Sequence, residues 1–387
     1  MTLNNTPSSM RIRISFFGRR NAGKSSLVNA VTSQNLSVVS DTPGTTTDPV
    51  SKSMELGGLG PVIITDTAGI DDVGTLGNLR IEKTNEIINK TDIAVLVIDA
   101  NEGISSYDKE LITVFEDKKL PYITVYNKCD EKDVDGDILC VSAKTGRNTE
   151  KLKEKIIALK PKENPIRMVG DFIKPGDVVI FVTPIDESAP KGRLILPQQQ
   201  AIRDVLDAGA ISVVVQPSEL KMALEKIKPS LVVTDSQAFA EVSKAVPPEI
   251  KLTSFSILMA RVKGLLQSAV EGAYALDSLC DGDTLLISEA CTHHRQCKDI
   301  GTVKLPNLIR KFTGKNINFE FTSGGEFPRE LSKYSLIVHC GGCMITDTEM
   351  KSRVSSANEQ GIPITNYGTA IAHMNGILER SIEILKY

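Results

Sequence analysis

The run from Gly18 to Ser25, which reads G-R-R-N-A-G-K-S, constrains the fold of this chain more than any other feature. It fits the pattern G-x-x-x-x-G-K-[ST], and it lies between an alternating apolar strand pattern, Arg11 to Phe17, and a helical pattern from about Lys24. Backbone amides of such a loop wrap phosphates, and the following helix adds its positive end. The sequence therefore predicts a phosphate site on an α/β framework.

Each expected phosphate and magnesium contact has its own residue. Lys24 is expected to neutralise the β- and γ-phosphates, and the Ser25 hydroxyl to bind Mg²⁺. The rest of the phosphate loop is expected to contribute Gly18, Asn21, Ala22, Gly23 and Ser26.

Two further segments complete the expected catalytic set. Asp66-Thr67-Ala68-Gly69 matches D-x-x-G, so Asp66 should reach Mg²⁺ through water and the Gly69 amide should sense the γ-phosphate. The hydroxyl-rich segment 41–48 is the expected first switch, with Thr46 as the preferred magnesium ligand and Thr45 as the second choice. The expected catalytic residues are thus Lys24, Thr46, Asp66 and Gly69.

Guanine specificity is predicted by two later segments. Asn127-Lys128-Cys129-Asp130 follows a strand and matches N-K-x-D, in which the Asp130 carboxylate accepts the N1 and N2 hydrogens of guanine and Asn127 braces the loop. Ser142-Ala143-Lys144 follows the next strand and matches the loop that meets the guanine O6 with a backbone amide. The order of these five segments predicts binding of GTP and GDP with Mg²⁺.

These residues resemble the subgroup of GTPases that contains tRNA-modification and ribosome-assembly enzymes. Ile70 stands where Ras-like proteins carry a water-orienting glutamine, and Asn21 matches the asparagine that some relatives use to hold K⁺. Thr47 departs from the pattern, because relatives usually carry arginine there. The resemblance implies slow hydrolysis of GTP to GDP and phosphate, stimulated by K⁺ beside the phosphates.

Strands alternate with helices along the whole chain, which predicts parallel sheets in a multidomain α/β fold. A polar leader, residues 1–10, precedes a first domain over residues 11–160, and a proline-containing linker follows it. A motif-poor second pattern over residues 166–260 indicates a packing or dimerisation domain. A third pattern covers residues 261–387.

Cysteine and histidine cluster in the third pattern. Four of the seven cysteines and three of the four histidines lie between Cys291 and Cys343. The pattern is C-T-H at Cys291 to His293 and H-C-G-G-C at His339 to Cys343, each directly after an expected strand. Because ligand sites collect at the carboxyl ends of parallel strands, the two halves can meet in space.

Thiolates spaced in this way can bind a metal ion or an iron–sulfur cluster. Cys291, Cys340 and Cys343 are the expected cluster ligands, and a Cys₃His zinc site remains an alternative. The fourth ligand stays open among His293, His294, His339 and Cys297. The remaining cysteines, Cys129, Cys140 and Cys280, each fit a buried apolar cysteine.

The nucleotide motifs combined with C-x-H and H-C-x-x-C resemble the [FeFe]-hydrogenase maturation GTPase family over nearly the whole chain. The resemblance implies three α/β domains: an N-terminal P-loop GTPase with a mostly parallel sheet, a central dimerisation domain and a C-terminal iron–sulfur domain. It implies a [4Fe-4S] cluster and a homodimer. It also implies a scaffold that takes a transient di-iron precursor from radical-enzyme maturases and delivers it to apo-[FeFe]-hydrogenase.

Composition argues against one of two rival interpretations. The formal net charge of −3 gives no sign of a basic nucleic-acid-binding appendage, which a translation- or tRNA-linked GTPase would need. A redox- or zinc-regulated signalling GTPase remains open. No apolar run approaches the ~20 residues of a membrane span, and the first ten residues lack a signal-peptide core. The expected location is therefore the cytoplasm, without a membrane or nucleic-acid partner.

Overall fold

The computed structural model describes residues 6–32, 50–67, 84–130, 138–161, 166–185, 194–290 and 300–385. The chain divides into two compact units, Met1–Glu163 and Asn164–Tyr387. Their described parts contain three sheets, one in the first unit and two in the second. The α/β fold class predicted from the alternation of strands and helices is confirmed.

The first unit is built on a six-stranded sheet in the order β2-β3-β1-β4-β5-β6. Every pairing is parallel except β2 with β3, which is antiparallel. The strands are β1 (Ile12–Phe17), β2 (Val50–Leu56), β3 (Gly60–Asp66), β4 (Ile93–Asp99), β5 (Tyr122–Asn127) and β6 (Leu139–Cys140). The helices are α1 (Lys24–Thr32), α2 (Ser106–Asp117) and α3 (Thr149–Ala158); residues 84–88 are also helical, and a short 3₁₀ helix spans Ser8–Met10.

Local sequence explains the elements that position the nucleotide motifs. β4 reads I-A-V-L-V-I-D and is buried along its whole length, as expected for a central parallel strand covered on both faces. α2 begins at a capping box in which Ser105 and Asp108 satisfy each other's backbone amides. Phe115 of α2 packs against Phe17 and Tyr122, so the helix covers one face of the sheet.

The second unit contains two parallel four-stranded sheets, in the orders β10-β9-β7-β8 and β12-β11-β13-β14. The first comprises β7 (Val178–Val182), β8 (Ile211–Val215), β9 (Leu231–Thr234) and β10 (Lys251–Ser254), with α4 (Leu196–Asp207), α5 (Leu220–Lys226), α6 (Phe239–Ala245) and α7 (Phe255–Val262). The second comprises β11 (Thr284–Glu289), β12 (Asn318–Ser323), β13 (Leu336–His339) and β14 (Ile364–Asn366). Its helices are α8 (Leu266–Tyr274), α9 (Leu305–Thr313), α10 (Asp347–Glu359), α11 (Tyr367–Met374) and α12 (Leu378–Ile382). Short 3₁₀ helices span Pro217–Glu219, Ser236–Ala238, Ala275–Ser278 and Glu383–Leu385, and Ile300–Lys304 forms a π-helix.

One continuous hydrophobic core joins the two sheets of the second unit, running from Met168 to Leu385. α7 contributes five of its residues, Phe255 and Ile257 to Ala260, and Phe255 stacks on Phe181 of β7. The domain boundary expected between residues 260 and 261 therefore falls inside this helix.

Two features differ from the sequence interpretation. β2 was not expected, because it is mostly exposed and its polar residues carry no burial signal. Cys280 is exposed, whereas Cys129 and Cys140 are buried. The expected burial of Cys280 was wrong because it precedes a polar turn, in which its amide donates to Asp283.

Within the described part of the chain, no helix is both long and apolar enough to cross a membrane.

Candidate functional site

The phosphate loop joins the carboxyl end of β1 to the first turn of α1. Lys24 is buried, and its ammonium donates to the carbonyl oxygens of Gly18 (2.9 Å) and Arg19 (2.7 Å). The lysine thus lies folded over the loop whose amides are expected to bind phosphate. Asn21 has φ = 61°, a left-handed backbone conformation that is uncommon for residues other than glycine.

Two glycines allow the loop to approach its surroundings closely. Gly18 has φ = 138°, and a Cβ there would lie 2.2 Å from the carbonyl oxygen of Val97 in β4. Gly23 has φ = 87°, and a Cβ there would lie 2.2 Å from Nδ2 of Asn127. The glycines of the motif are therefore required by the neighbouring strand and by the guanine-specificity segment, as well as by the turn itself.

The residues expected to bind magnesium lie side by side. Ser25 Oγ donates to Oδ2 of Asp66 at 2.5 Å, which joins the start of α1 to the end of β3. Asp66 is 1% exposed, and its Oδ1 has no hydrogen-bond partner among the described residues. A buried carboxylate oxygen without a donor beside a serine hydroxyl suits a hard cation that prefers oxygen ligands, so these residues fit Mg²⁺. Thr46 and Gly69, with Thr45 and Thr47, lie outside the described residues.

Asn127 connects the guanine-specificity segment to the phosphate loop. Its Nδ2 donates to the Ala22 carbonyl at 3.0 Å, and its Oδ1 accepts from the Ala143 amide at 3.1 Å. Three predicted parts of the site are therefore held together by one side chain. The bracing role predicted for Asn127 is consistent with this geometry.

Ser142 orients Asp130, the residue predicted to bind guanine. The Ser142 hydroxyl donates to Oδ1 of Asp130 at 2.6 Å, and the Thr145 amide donates to the same hydroxyl at 3.0 Å. Lys144 lies 3.8 Å from the other carboxylate oxygen and is mostly exposed. The Asp130 carboxylate is thereby held in one orientation next to the Ser142–Lys144 segment.

Asp99, at the end of β4, is a site residue that the sequence analysis missed. The Lys128 ammonium lies 2.6 Å from its Oδ2, and Lys128 itself has φ = 68°. Burial alone raises the pKa of the Asp99 carboxyl, but hydrogen bonds from Lys128 and from the Asn101 amide overcome it and hold the pKa below its ordinary 3.8. Asp99 therefore stays charged and anchors the lysine of the N-K-x-D segment. The sequence signal that could have identified Asp99 is its position at the end of a buried parallel strand.

The residue that precedes the first half of the cysteine pattern meets the second half at the carboxyl ends of β11 and β13. These strands pair in parallel, with Ser288 opposite His339. Beyond the pairing, the Ala290 amide lies 3.1 Å from Sγ of Cys340. Cys291 follows Ala290 directly but lies outside the described residues, as do His293, His294 and Cys297.

Cys340 lies in surroundings that suit a metal-bound thiolate. Its Sγ accepts from the amides of Ala290 and Gly342, the second at 3.5 Å. Burial raises the pKa of the Cys340 thiol to about 11, although both amides oppose that rise. Amide-to-sulfur hydrogen bonds of this kind surround iron–sulfur clusters, and metal binding supplies the positive charge that a buried thiolate otherwise lacks.

Both ring nitrogens of His339, one of the candidate fourth ligands, already have hydrogen-bond partners. It is fully buried, with Nδ1 2.7 Å from the Cys340 carbonyl and Nε2 3.1 Å from Nη1 of Arg353. Burial, together with the adjacent Arg353 guanidinium, lowers its pKa to about 3, so the imidazole is neutral. Nδ1 therefore donates and Nε2 accepts, which leaves neither nitrogen open to a metal in this conformation.

Arg353 of α10 holds this histidine in place. Its Nη2 donates to the Gly324 carbonyl and to Glu349, both at 2.8 Å, and its Nη1 also donates to Ser288 Oγ at 3.4 Å; all of these groups are buried. The network ties α10 to the end of β13. No group of three or more His, Cys, Asp or Glu side chains suited to a metal ion occurs within the described ranges, which exclude residues 291–299.

The fold and the motif geometry define a P-loop GTPase domain followed by a second α/β unit that carries Cys340 and Cys343. Residues 13–128 match the family described as 50S ribosome-binding GTPase. Residues 168–264 match the hydrogen maturase F dimerization domain, and residues 267–384 match the hydrogen maturase F tetramerization domain. The chain belongs to the hydrogen maturase F family of hydrogenase maturases.

Curated relatives are similar to only part of the chain. GTPase Der of Nautilia profundicola is 36% identical over 166 residues, which is 38% of this chain and 36% of that protein. The tRNA modification GTPase MnmE of Thermosipho melanesiensis is 35% identical over 153 residues, 38% of this chain and 34% of that protein. A crystal structure of Aquifex aeolicus Era bound to GDP.AlF4- has 20% identity and a TM-score of 0.36, covering 54% of this chain and 93% of that one. The chain thus spans about a third of the length of these curated relatives.

Proposed function

We propose that this chain is a GTP-hydrolysing scaffold that carries a di-iron precursor to apo-[FeFe]-hydrogenase and holds a [4Fe-4S] cluster in its C-terminal region. The observation that carries the proposal is the contact of Cys340 with Ala290, the residue that directly precedes Cys291 in the chain. The match to both hydrogen maturase F domains supports the maturation role.

GTP hydrolysis would depend mainly on positioning and charge. Lys24 would turn from the loop carbonyls toward the phosphates, while Ser25 and Asp66 would hold Mg²⁺. Asp130, oriented by Ser142, would select guanine over adenine. Thr46 and Gly69 would complete the switch contacts to the γ-phosphate.

A potassium ion beside Asn21 would supply positive charge to the phosphates, since Ile70 replaces the water-orienting glutamine. The left-handed conformation of Asn21 supports a special role for this position. The test is GTP turnover in K⁺ against Na⁺ at equal ionic strength. We expect faster turnover in K⁺, and equal rates would remove the potassium site.

Cys291, Cys340 and Cys343 would hold the cluster, and the chain's own contacts fit this use. The Ala290 and Gly342 amides stabilise sulfur charge, and Gly342 gives the turn its left-handed conformation, with φ = 67°. The cluster would supply an iron position that is accessible to an exchangeable ligand. His339 would orient the Cys340 carbonyl, which leaves His293, His294 and Cys297 as the other candidates for the fourth ligand.

The domain division that we propose is a leader (1–10), a GTPase domain (11–160), a dimerisation domain (166–260) and an iron–sulfur domain (261–387), with α7 spanning the last boundary. Homodimer formation would involve the central domain, as the name of its matching family model suggests. The expected partners are the radical-enzyme maturases and apo-hydrogenase, and the expected site of action is the cytoplasm.

Transfer into apo-hydrogenase tests the proposal directly. The chain, loaded anaerobically with a di-iron precursor, is mixed with apo-[FeFe]-hydrogenase, and hydrogen evolution is measured. We expect activation by the wild type and by Cys280→Ser, an exposed cysteine outside the site, but not by Cys343→Ser. Full activation by Cys343→Ser would remove that ligand from the proposal, and no activation by any loaded form would contradict the scaffold role.

A further inference from the structure

Lys263 is a buried cation next to the second cysteine segment. It directly follows α7 and is 5% exposed, although lysine is rarely buried without a partner. Its ammonium donates to the Ile345 carbonyl and to Oδ1 of Asp347, each at 2.8 Å. Ile345 is two residues beyond Cys343, so the charge is anchored to the loop that carries this thiol.

The helix that ends just before Lys263 lies against the same loop. Upstream in α7, Ser256 and Met259 flank Gly341, since a Cβ on that glycine would lie 3.8 Å from the serine hydroxyl and 3.9 Å from the methionine Cβ. α7 therefore lies along the cysteine loop. Lys263, directly after α7, joins this helix to the later part of the loop through the Ile345 carbonyl.

The position of Lys263 also links the two family regions. It lies in the stretch that matches the dimerization domain, whereas Ile345 and Asp347 lie in the stretch that matches the tetramerization domain. Asp347 is partly exposed and only partly compensates the lysine charge. A positive charge with little access to water acts more strongly on its surroundings than the same charge on the surface.

We infer that Lys263 is a positioning residue that sets the reduction potential of the cluster held by Cys343. This inference rests on the proposed function, because it requires the cluster. One-electron reduction adds negative charge to the cluster, so a fixed cation in a poorly solvated place stabilises the reduced form more than the oxidised form. The partly compensating Asp347 opposes this effect.

The experiment is an anaerobic redox titration of the reconstituted full-length chain, with dithionite as reductant and the reduced cluster followed by electron paramagnetic resonance. Lys263→Met keeps the length of the side chain but removes its charge. We expect the ratio of reduced to oxidised cluster at a fixed potential to fall at least tenfold, a shift of about 59 mV downward for one electron. Asp347→Asn should shift the midpoint upward.

Two further variants separate charge from shape. Lys263→Arg keeps the charge and should restore a potential close to that of the wild type. Lys351→Met removes an exposed lysine from the same helix, α10, and should leave the potential unchanged, since solvent screens that charge. A purely structural role for Lys263 would not give opposite shifts in Lys263→Met and Asp347→Asn.

The possible failures are distinguishable. A wild-type chain that takes up no iron and sulfide contradicts the proposed function. A normal iron content in Lys263→Met with a wild-type potential overturns the inference while leaving the function intact. Where Lys263→Met does not fold or does not take up iron, Asp347→Asn decides: an upward shift supports the inference and an unchanged potential overturns it.

Discussion

The amide of Ala290 lies 3.1 Å from the Sγ of Cys340, so the residue that precedes Cys291 contacts the first thiol of the H-C-G-G-C segment. The pairing of β11 with β13 brings these positions together, because the carboxyl ends of the two parallel strands meet at one edge of the sheet. The contact is the structural basis for treating two distant cysteine segments as one site.

Replacement of Gly342 tests the turn between the thiols. Gly342 has φ = 67°, and a Cβ there would lie 2.3 Å from Cε of the buried Met350. We expect Gly342→Ala to cost about 1–2 kcal/mol from the left-handed backbone alone and to reduce iron uptake. Gly341→Ala is the matched control, because a Cβ there would make only ordinary contacts, at 3.8 Å and 3.9 Å. Iron content and thermal unfolding measure both; equal losses in the two variants would contradict this account.

Replacement of Gly18 tests the approach of the phosphate loop to β4. A Cβ on Gly18 would meet the backbone oxygen of Val97 at 2.2 Å, and a central strand cannot move aside easily. We expect Gly18→Ala to weaken GTP binding more than tenfold, about 1.4 kcal/mol. Gly57→Ala, where a Cβ meets nothing within 4 Å, should bind normally. Calorimetric titration with GTP measures both, and normal affinity in Gly18→Ala would refute the prediction.

Asp130→Asn tests base selection. The Asp130 carboxylate, oriented by the Ser142 hydroxyl, accepts two hydrogens from guanine in the proposed complex, whereas an amide presents a donor to one of them. GTP affinity should fall roughly 10- to 100-fold, about 1.4–2.8 kcal/mol, and affinity for XTP should rise. Lys144→Ala, which alters an exposed side chain 3.8 Å from the same carboxylate, should change affinity little. Unchanged GTP affinity in Asp130→Asn would show that Asp130 does not contact the guanine base.

Asp204 provides a pH-dependent contribution to stability in the second unit. Its carboxylate accepts from the amides of Val169 and Gly170, each at 2.7 Å, and from Nε of Arg167 at 2.8 Å. Burial raises the pKa of Asp204, but these hydrogen bonds outweigh it and hold the pKa below its ordinary 3.8. A lowered folded-state pKa stabilises the fold above the unfolded-state value, and this stabilisation is lost as pH falls through the folded-state value.

We therefore expect Asp204→Asn to lower the free energy of unfolding at about pH 7 by roughly 1.5–3 kcal/mol, the range for hydrogen bonds to a charged group. The deficit relative to the wild type should shrink as the pH is lowered below about 4. Asp207→Asn, which removes an exposed pair with Arg203, should have a small effect at every pH. Urea denaturation across this pH range measures all three proteins. A deficit that stays constant with pH would show that the charge of Asp204 is not responsible.

The arrangement of the described nucleotide motifs could be predicted because each short motif carries its own expected chemistry. The adjacency of Ser25 and Asp66 and the bracing position of Asn127 agree with what the spacing of G-x-x-x-x-G-K-S, D-x-x-G and N-K-x-D indicates. β7 and β9 were located correctly, because buried strands bounded by turn residues give a strong local signal. β8 is partly exposed and was located by its β-branched residues.

The residues that surround the cysteine loop could not be predicted in the same way. Lys263 and Ile345 are 82 positions apart, and no local pattern distinguishes this lysine from a surface lysine. Arg353 resembles any polar residue of an amphipathic helix until β13 is placed beside it. Such buried ion pairs depend on tertiary contacts. The cysteines could therefore be identified from the sequence, whereas the charged residues around them could not.

Anaerobic reconstitution with iron and sulfide, followed by electron paramagnetic resonance with and without imidazole, tests the central claim most directly. The account predicts a brown protein with about four iron atoms per chain and broad absorption near ~400 nm, and a resonance that changes when imidazole binds an accessible iron. Cys340→Ser should lose this signal, while Cys280→Ser should retain it. A colourless chain that binds zinc instead, or a cluster retained unchanged in Cys340→Ser, would contradict the account.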